Sequence, residues 1–391
     1  LHLHERSRRQ RQMCIRDIIS IDSPASGSRI NLPIVTYATN EELGEGNITF
    51  TRTGGTQDPD SPHVVNLSGQ RLKQGTRYDE TFESDLQLKD GSVYSISFGA
   101  QDMAGNIATD VSIQNITFDS SAPQLSITSP LSPTFTNDLM VEYSTNENLS
   151  KGVIFVERTG GPNDSSSPHE VELVDGQLIK SSKISLNLSQ QLNLVSNAVY
   201  RIYIEGLDVA GNEGKSDMVE SITFDNVPPE ISITSPTVES FINAPVLGLK
   251  ANETLSKATI DWLWESGEAD QIGKHSSVLV GGSLIEGDYP QVNFDPAPKL
   301  KSGAWYVVTY NGTDRAGNSA TFTLGRLFFD NIPPKISGLY PPSNTFTNIA
   351  EVSYSSNESL SNGVFSWIPK DGSTPLAVSY THLTLPTTSF V

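Results

Sequence analysis

The chain has 391 residues, 26 Lys and Arg against 45 Asp and Glu, and a formal charge of −19. A net negative chain of this size is a poor partner for nucleic acid, whose phosphates demand clustered cations. One Cys excludes a disulfide framework or a Cys-rich zinc site, and no run approaches the ~18 apolar residues of a membrane helix.

From the N-terminus, residues 1–17 (LHLHERSRRQRQMCIRD) hold five Arg and the only Cys, Cys14. They fit nothing that follows, and neither do the last thirteen residues from Ser379. Both ends resemble translated sequencing-adapter read-through and are read as a non-native arm (1–17) and tail (379–391); a basic disordered arm is the rival reading of the first.

Between them one unit is written three and a half times. Asp102-Met-Ala-Gly-Asn106 returns as Asp208-Val-Ala-Gly-Asn212 and Asp314-Arg-Ala-Gly-Asn318, a period of 106 residues. Asn40-Glu41 returns at Asn146-Glu147, Asn252-Glu253 and Asn357-Glu358, and Phe118-Asp119 at Phe224-Asp225 and Phe329-Asp330. The units run 18–121, 122–227, 228–332 and a truncated 333–378. This period exceeds the ~20–50 residues of a solenoid repeat and suits a free-standing domain of ~100 residues.

In the second unit, Gln124–Thr128, Leu139–Tyr143, Val153–Arg158, Glu170–Val174, Ile184–Leu188, Tyr200–Ile204 and Ile222–Phe224 read as seven strands. Apolar and polar residues alternate, and Gly, Pro, Asn, Asp and Ser separate the runs, so the expectation is antiparallel sheets packed face to face with essentially no helix. Large residues keep the period. Tyr37, Tyr143 and Tyr354 align with Leu249; Phe50, Val156, Trp262 and Trp367 align; so do Tyr94, Tyr200 and Tyr306. These are read as core positions, the last set placed like the tyrosine corner of immunoglobulin-type sandwiches. The fourth unit supplies about three strands. It is expected to be poorly ordered or to collapse onto the third, because half a sandwich leaves its apolar face bare.

Asp-x-Ala-Gly-Asn, a strand ending in Phe-Asp, and a Pro-containing link into Ile-Thr-Ser-Pro together resemble the bacterial immunoglobulin-like repeats of large surface and secreted proteins. The Arg52-Thr-Gly-Gly55 and Arg158-Thr-Gly-Gly161 blocks, followed by Ser-Pro-His, are similar to one subtype of these repeats; the third unit departs, with Trp264-Glu-Ser-Gly267. The resemblance implies an all-β chain of tandem immunoglobulin-like sandwiches, stiffened by Pro links such as Val227-Pro-Pro229 into an end-to-end, monomeric rod. It implies a non-catalytic spacer of a bacterial surface adhesin, extracellular or on the cell surface, whose ligand is met by parts outside this stretch. An accessory region of a secreted polysaccharide-degrading enzyme and a phage fibre segment are the alternatives.

Asp-x-Ala-Gly-Asn is read first as a hairpin loop, with Asp accepting the turn's own N–H groups and Gly-Asn supplying positive φ. The sharper reading is calcium. Asp119, Asp225 and Asp330 each stand four residues before a junction Pro, and a hard cation wants six to eight oxygens. With Asp102, Asp208 and Asp314 as helpers, these six are the candidate calcium ligands, and the resemblance to calcium-binding adhesin repeats favours the ion. His63, His169 and His275 share the period but keep no metal-ligand spacing and are read as loop residues with a structural or neutral role. Nucleophile elbows, His-Glu-x-x-His and Gly-rich phosphate loops do not occur. Trp264 is the single off-pattern Trp, weak support for carbohydrate binding.

Overall fold

The computed structural model describes residues 19–84, 86–348, 351–368 and 376–380, so the expected arm and nearly all of the tail lie outside the described residues. The chain packs as two compact units, one ending at Val227 and taking in Ala316–Asn318, the other made of the remainder.

The first unit begins with a sandwich of eight strands: β1 (Ile19–Ser23), β2 (Arg29–Ile30), β3 (Ile34–Thr39), β4 (Leu43–Gly55), β5 (His63–Asn66), β6 (Gly75–Thr81), β7 (Ser92–Asp102) and β8 (Val111–Phe118). A three-stranded sheet, β1-β3-β6, faces a five-stranded sheet, β2-β8-β7-β4-β5. Alternation along β7 turns Tyr94, Ile96, Phe98 and Ala100 inward, where they meet Val35, Tyr37, Ile48 and Phe50. Removing such a side chain from water is worth about 1.5–3 kcal/mol each.

The second sandwich comprises β9 (Leu125–Ser129), β10 (Thr134–Thr136), β11 (Met140–Thr145), β12 (Leu149–Gly160), β13 (His169–Glu172), β14 (Ser181–Asn187), β15 (Ala198–Asp208), β16 (Glu213–Lys215) and β17 (Val219–Phe224). Sheet β14-β11-β9 covers sheet β10-β17-β15-β12-β13, with β16 paired to β15.

In the second unit the third sandwich repeats the plan with β18 (Ile231–Ser235), β19 (Phe241–Ile242), β20 (Leu247–Ala251), β21 (Leu255–Gly267), β22 (Lys274–Val278), β23 (Gly287–Val292), β24 (Ala304–Asp314) and β25 (Ser319–Phe329). Its sheets are β18-β20-β23 and β19-β25-β24-β21-β22. No α-helix occurs among the described residues, only single 3₁₀ turns such as Gly69–Leu72. None is long and apolar enough to cross a membrane.

Seven antiparallel strands do not account for the whole sandwich. The first strand of each repeat breaks at its Pro, which has no N–H to give a ladder, and the chain crosses to the other sheet. There a short continuation pairs in parallel with the last strand: β2 with β8, β10 with β17, β19 with β25. The pattern Thr134-Phe-Thr136 was too brief to mark it.

The fourth repeat forms two pairs, β26 (Ile336–Tyr340) with β27 (Ser353–Ser356) and β28 (Gly363–Trp367) with β29 (Leu376–Tyr380). β29 runs across position 379, where the tail is expected to begin. Trp367, expected in the core, is 39% exposed, whereas its sibling Trp262 is 0% exposed. The difference follows from the missing strands, since among the described residues each sheet of the fourth repeat has only two.

Trp262 also buries an indole Nε1 that has no hydrogen-bond partner. Phe50 holds the same place in the first sandwich. Trp262→Phe is therefore expected to be nearly neutral, because lost area is offset by removal of an orphaned donor. Trp262→Ala should cost about 3–5 kcal/mol in a calorimetric transition assigned to the third sandwich.

Candidate functional site

Beside each sandwich core lies a buried carboxylate that the repeated motifs alone do not single out. Asp58 Oδ2 accepts the Tyr94 hydroxyl at 2.5 Å and shares a hydrogen bond with His63 Nε2 at 2.6 Å. Asp164 meets Tyr200 and His169 at 2.7 Å each, and Asp270 meets Tyr306 at 2.5 Å and His275 at 2.8 Å. The tyrosine hydroxyl in turn accepts the N–H five residues upstream, from Lys89, Val195 or Lys301. This is the tyrosine corner anticipated from the sequence, extended by an acid and an imidazole.

The histidines are thus not loop residues. Each stands on an edge strand, β5, β13 or β22, one strand removed from that of the corner Tyr, with its side chain less than a tenth exposed. The cluster is nearly closed to solvent and its polar atoms bond to one another, which holds the corner together. Burial pushes the three Asp carboxyls up, but the Tyr and His hydrogen bonds and one backbone N–H outweigh it and hold them low, Asp270 at about 2. Burial and the same carboxylate push Tyr306 up to about 12; at Tyr200, burial again raises the hydroxyl to about 12.

The loop that delivers the Asp is clamped by the Arg-Thr-Gly-Gly block. Arg52 donates from Nε to Thr56 O and from Nη2 to Gly55 O, both at 2.6 Å, while its backbone N–H goes to Ser61 Oγ. Arg158 repeats this on Pro162 O and Gly161 O. At Gly55, φ is +68° and a Cβ would lie 2.2 Å from Gly91 O, so only Gly fits. Trp264 takes over the clamp in the third sandwich. Its Nε1 donates to Glu268 O at 3.0 Å, four residues on like the Arg bond, and its N–H goes to Gly273 O in place of the Ser hydroxyl. The Arg task is therefore kept, with an indole doing it.

The junction Asp residues begin in their own links. Asp119 Oδ1 accepts the Ser121 N–H, Asp225 Oδ1 the Val227 N–H, and Asp330 Oδ1 the Ile332 N–H. The Asn of each Asn-Glu pair fixes the far end of a link: Asn146, Asn252 and Asn357 accept the N–H of Gln124, Glu230 and Lys335.

In the Asp-x-Ala-Gly-Asn loops, Asp102 Oδ1 accepts from the Ala104 and Asn106 N–H groups, and Asp208 Oδ1 from those of Gly211 and Asn212. Positive φ falls on Gly105, Gly211 and Gly317 but not on the Asn residues, correcting that expectation. The Asn works through its amide instead: Asn212 Nδ2 donates to Asp208 Oδ2 and to the Asp119 carbonyl, both at 2.8 Å.

That bond draws Asp208 to the first junction. Carboxylate oxygens of Asp119, Glu147 and Asp208 all lie within 4.8 Å of one another. Arg29 pairs with Asp119 Oδ2 at 3.2 Å. Burial pushes the Glu147 carboxyl up, and the charges of Asp119 and Asp208 push it further, against a smaller pull from Arg29. Of the six expected ligands, then, Asp119 and Asp208 come together with Glu147, which the sequence had shown only as half of an Asn-Glu repeat. Asp102 belongs to no such cluster among the described residues. Asp330 stands beside Glu358, its carboxyl held low by the Ile332 N–H and the Ser302 hydroxyl. Asp225 closes the first unit, where Ser196 Oγ donates to it at 2.6 Å, and Asp314 ends β24 in the second.

Paired antiparallel sheets with a tyrosine corner, repeated along the chain, define a tandem array of immunoglobulin-like sandwiches. Residues 186–336 match the family of the bacterial Ig-like domain (group 3). No curated protein sequence matches it. Similar solved structures include a tetra-tandem repeat in the extending region of a large adhesion protein (16% identity, 92% of this chain and 87% of that one, TM-score 0.28). Others are the FN1–FN3 domains of chicken CNTN1 (8% identity, 78% and 97%, TM-score 0.25) and the fibronectin(III)-like modules of Clostridium thermocellum CbhA (14% identity, 53% and 94%, TM-score 0.26).

Because the folded Asp270 carboxyl sits at about 2 against an ordinary 3.8, its contribution to stability is complete above that ordinary value and is lost as the pH falls towards 2. The urea midpoint of the third sandwich should drop over this interval. Three of the four Trp residues lie in it, so Trp fluorescence reads its unfolding. In Asp270→Asn the midpoint should be lower at pH 7 and its decline between pH 4 and 2 shallower.

Proposed function

We propose that this chain is a non-catalytic, extracellular spacer of a bacterial surface adhesin, holding a ligand-binding part away from the cell. The observation that carries the reading is the writing of one self-contained sandwich three times, each with its own sealed core and its own locked Tyr–Asp–His corner. A spacer needs modules that fold independently and links that resist bending, and the links are tied down at both ends by the junction Asp and the following Asn.

We further propose that calcium stiffens the first junction through Asp119, Glu147 and Asp208. The donor set is of the right kind, hard carboxylate oxygens only. Three carboxylates face one guanidinium; burial first, and then the charges of Asp119 and Asp208, push the Glu147 carboxyl up, and a divalent cation would relieve that crowding of negative charge. Waters and carbonyls would complete the shell.

Titration of calcium into the full chain at pH 7 should release or absorb heat and raise the melting temperature of the first two sandwiches, and Asp208→Asn should weaken the ion by about tenfold or more. Absence of heat and of a melting shift up to millimolar calcium would end the calcium reading alone. The spacer reading is tested apart from it: X-ray scattering from the full chain should give an elongated profile, and a compact one would refute it.

A further inference from the structure

The outer face of the larger sheet differs sharply between the sandwiches. In the first, the outward, paired positions on β4 and β7 hold Asn47 opposite Gly99 and Thr49 opposite Ser97. In the third, Thr259 lies opposite Asn311 and Asp261 opposite Thr309. In the second, the same register places Val153 opposite Glu205, Phe155 opposite Tyr203 and Lys151 opposite Leu207. At these paired positions the polar residues of the first and third sandwiches have become a floor of Val153, Phe155 and Leu207. The core does not require it, because these side chains face away from it.

The floor lies in a concavity of about 530 Å³, within the ~300–1,000 Å³ of small-molecule sites. Its parts are fixed in advance. Phe155 stacks on Tyr203 with ring centres 4.9 Å apart and planes within 13°. The Lys215 ammonium caps the other side of Tyr203 at 4.0 Å and pairs with Glu205 at 2.8 Å. Glu170, Glu213 and Lys151 complete the rim, and none of the three takes part in an ion pair among the described residues.

We infer that this trough binds a neutral saccharide. A pyranose ring has an apolar C–H face and a rim of hydroxyls that both donate and accept. Phe155, Val153 and Leu207 suit the face; the carboxylates of Glu170 and Glu213 accept from hydroxyls and the Lys151 ammonium donates to them. Polyanions are disfavoured by the one net negative charge of the rim and by the −19 of the chain. Cationic peptides are disfavoured by Lys151 and Lys215, which stand where such a chain would lay its own charges. The second sandwich is then a recognition module as well as a spacer, and the inference stands whether or not calcium binds at the junction.

The test presents the full chain to immobilised neutral oligosaccharides built on glucose, mannose, galactose and N-acetylglucosamine, beside alginate and a lysine-rich peptide. At least one neutral oligosaccharide should be retained, and Phe155→Thr should weaken it by about tenfold or more. That variant carries the residue found at Thr49 of the first sandwich, so an unchanged melting curve is expected and checks its fold. Glu213→Gln should weaken the same ligand while leaving the floor intact. The inference is overturned if no neutral saccharide is retained, if both variants bind as well as the parent, or if only alginate or the peptide binds.

Discussion

A carboxylate taken out of water must recover its hydrogen bonds inside the protein or drive the fold apart. In each sandwich Asp58, Asp164 or Asp270 recovers them from a tyrosine on the central strand and a histidine on the edge strand beyond its neighbour. This one arrangement joins three pieces of chain that are distant in sequence. It anchors the loop after the long strand β4, β12 or β21, the edge strand that the loop leads into, and, through the tyrosine hydroxyl, the segment just before the central strand. The hydrophobic clusters supply most of the driving force, but they would tolerate slippage; the charged corner specifies one register.

Because the corner sets where the loop must go, the loop is free to be built in more than one way. Arg52 and Arg158 clamp it with a guanidinium, Trp264 with an indole N–H, and the same carbonyl four residues on receives the bond each time. Side chains of different charge and shape are thus equivalent here because the backbone asks for one donor at one place. That is why substitution of the Arg-Thr-Gly-Gly block in the third repeat leaves the surrounding geometry unchanged.

Strands and core were largely legible in the sequence because alternation and a fixed period report burial directly: Tyr94, Tyr200 and Tyr306, read as core, are fully buried. What escaped was whatever depends on contacts between segments. Asp58, Asp164 and Asp270 keep the period as faithfully as the tyrosines, yet an Asp in a Gly- and Pro-rich loop looks like any turn residue until a strand is seen beneath it. The histidines were misread for the same reason. Glu147 was visible as a repeated residue, but nothing local says that it faces Asp119 and Asp208. Trp367 was misread in the opposite sense, since its period marks a core place whose other half the described residues do not provide.

The short parallel strands have a further bearing on how such a chain reaches its folded state. Near-identical neighbours tethered on one polypeptide meet at high effective concentration, and a bare strand edge on one is an invitation to its sibling. By laying β10 along β17, and β2 and β19 along their counterparts, each copy occupies one border of its own larger sheet with its own chain. Kinship between successive copies, which would otherwise favour swapped and tangled products, is in this way made harmless at that border.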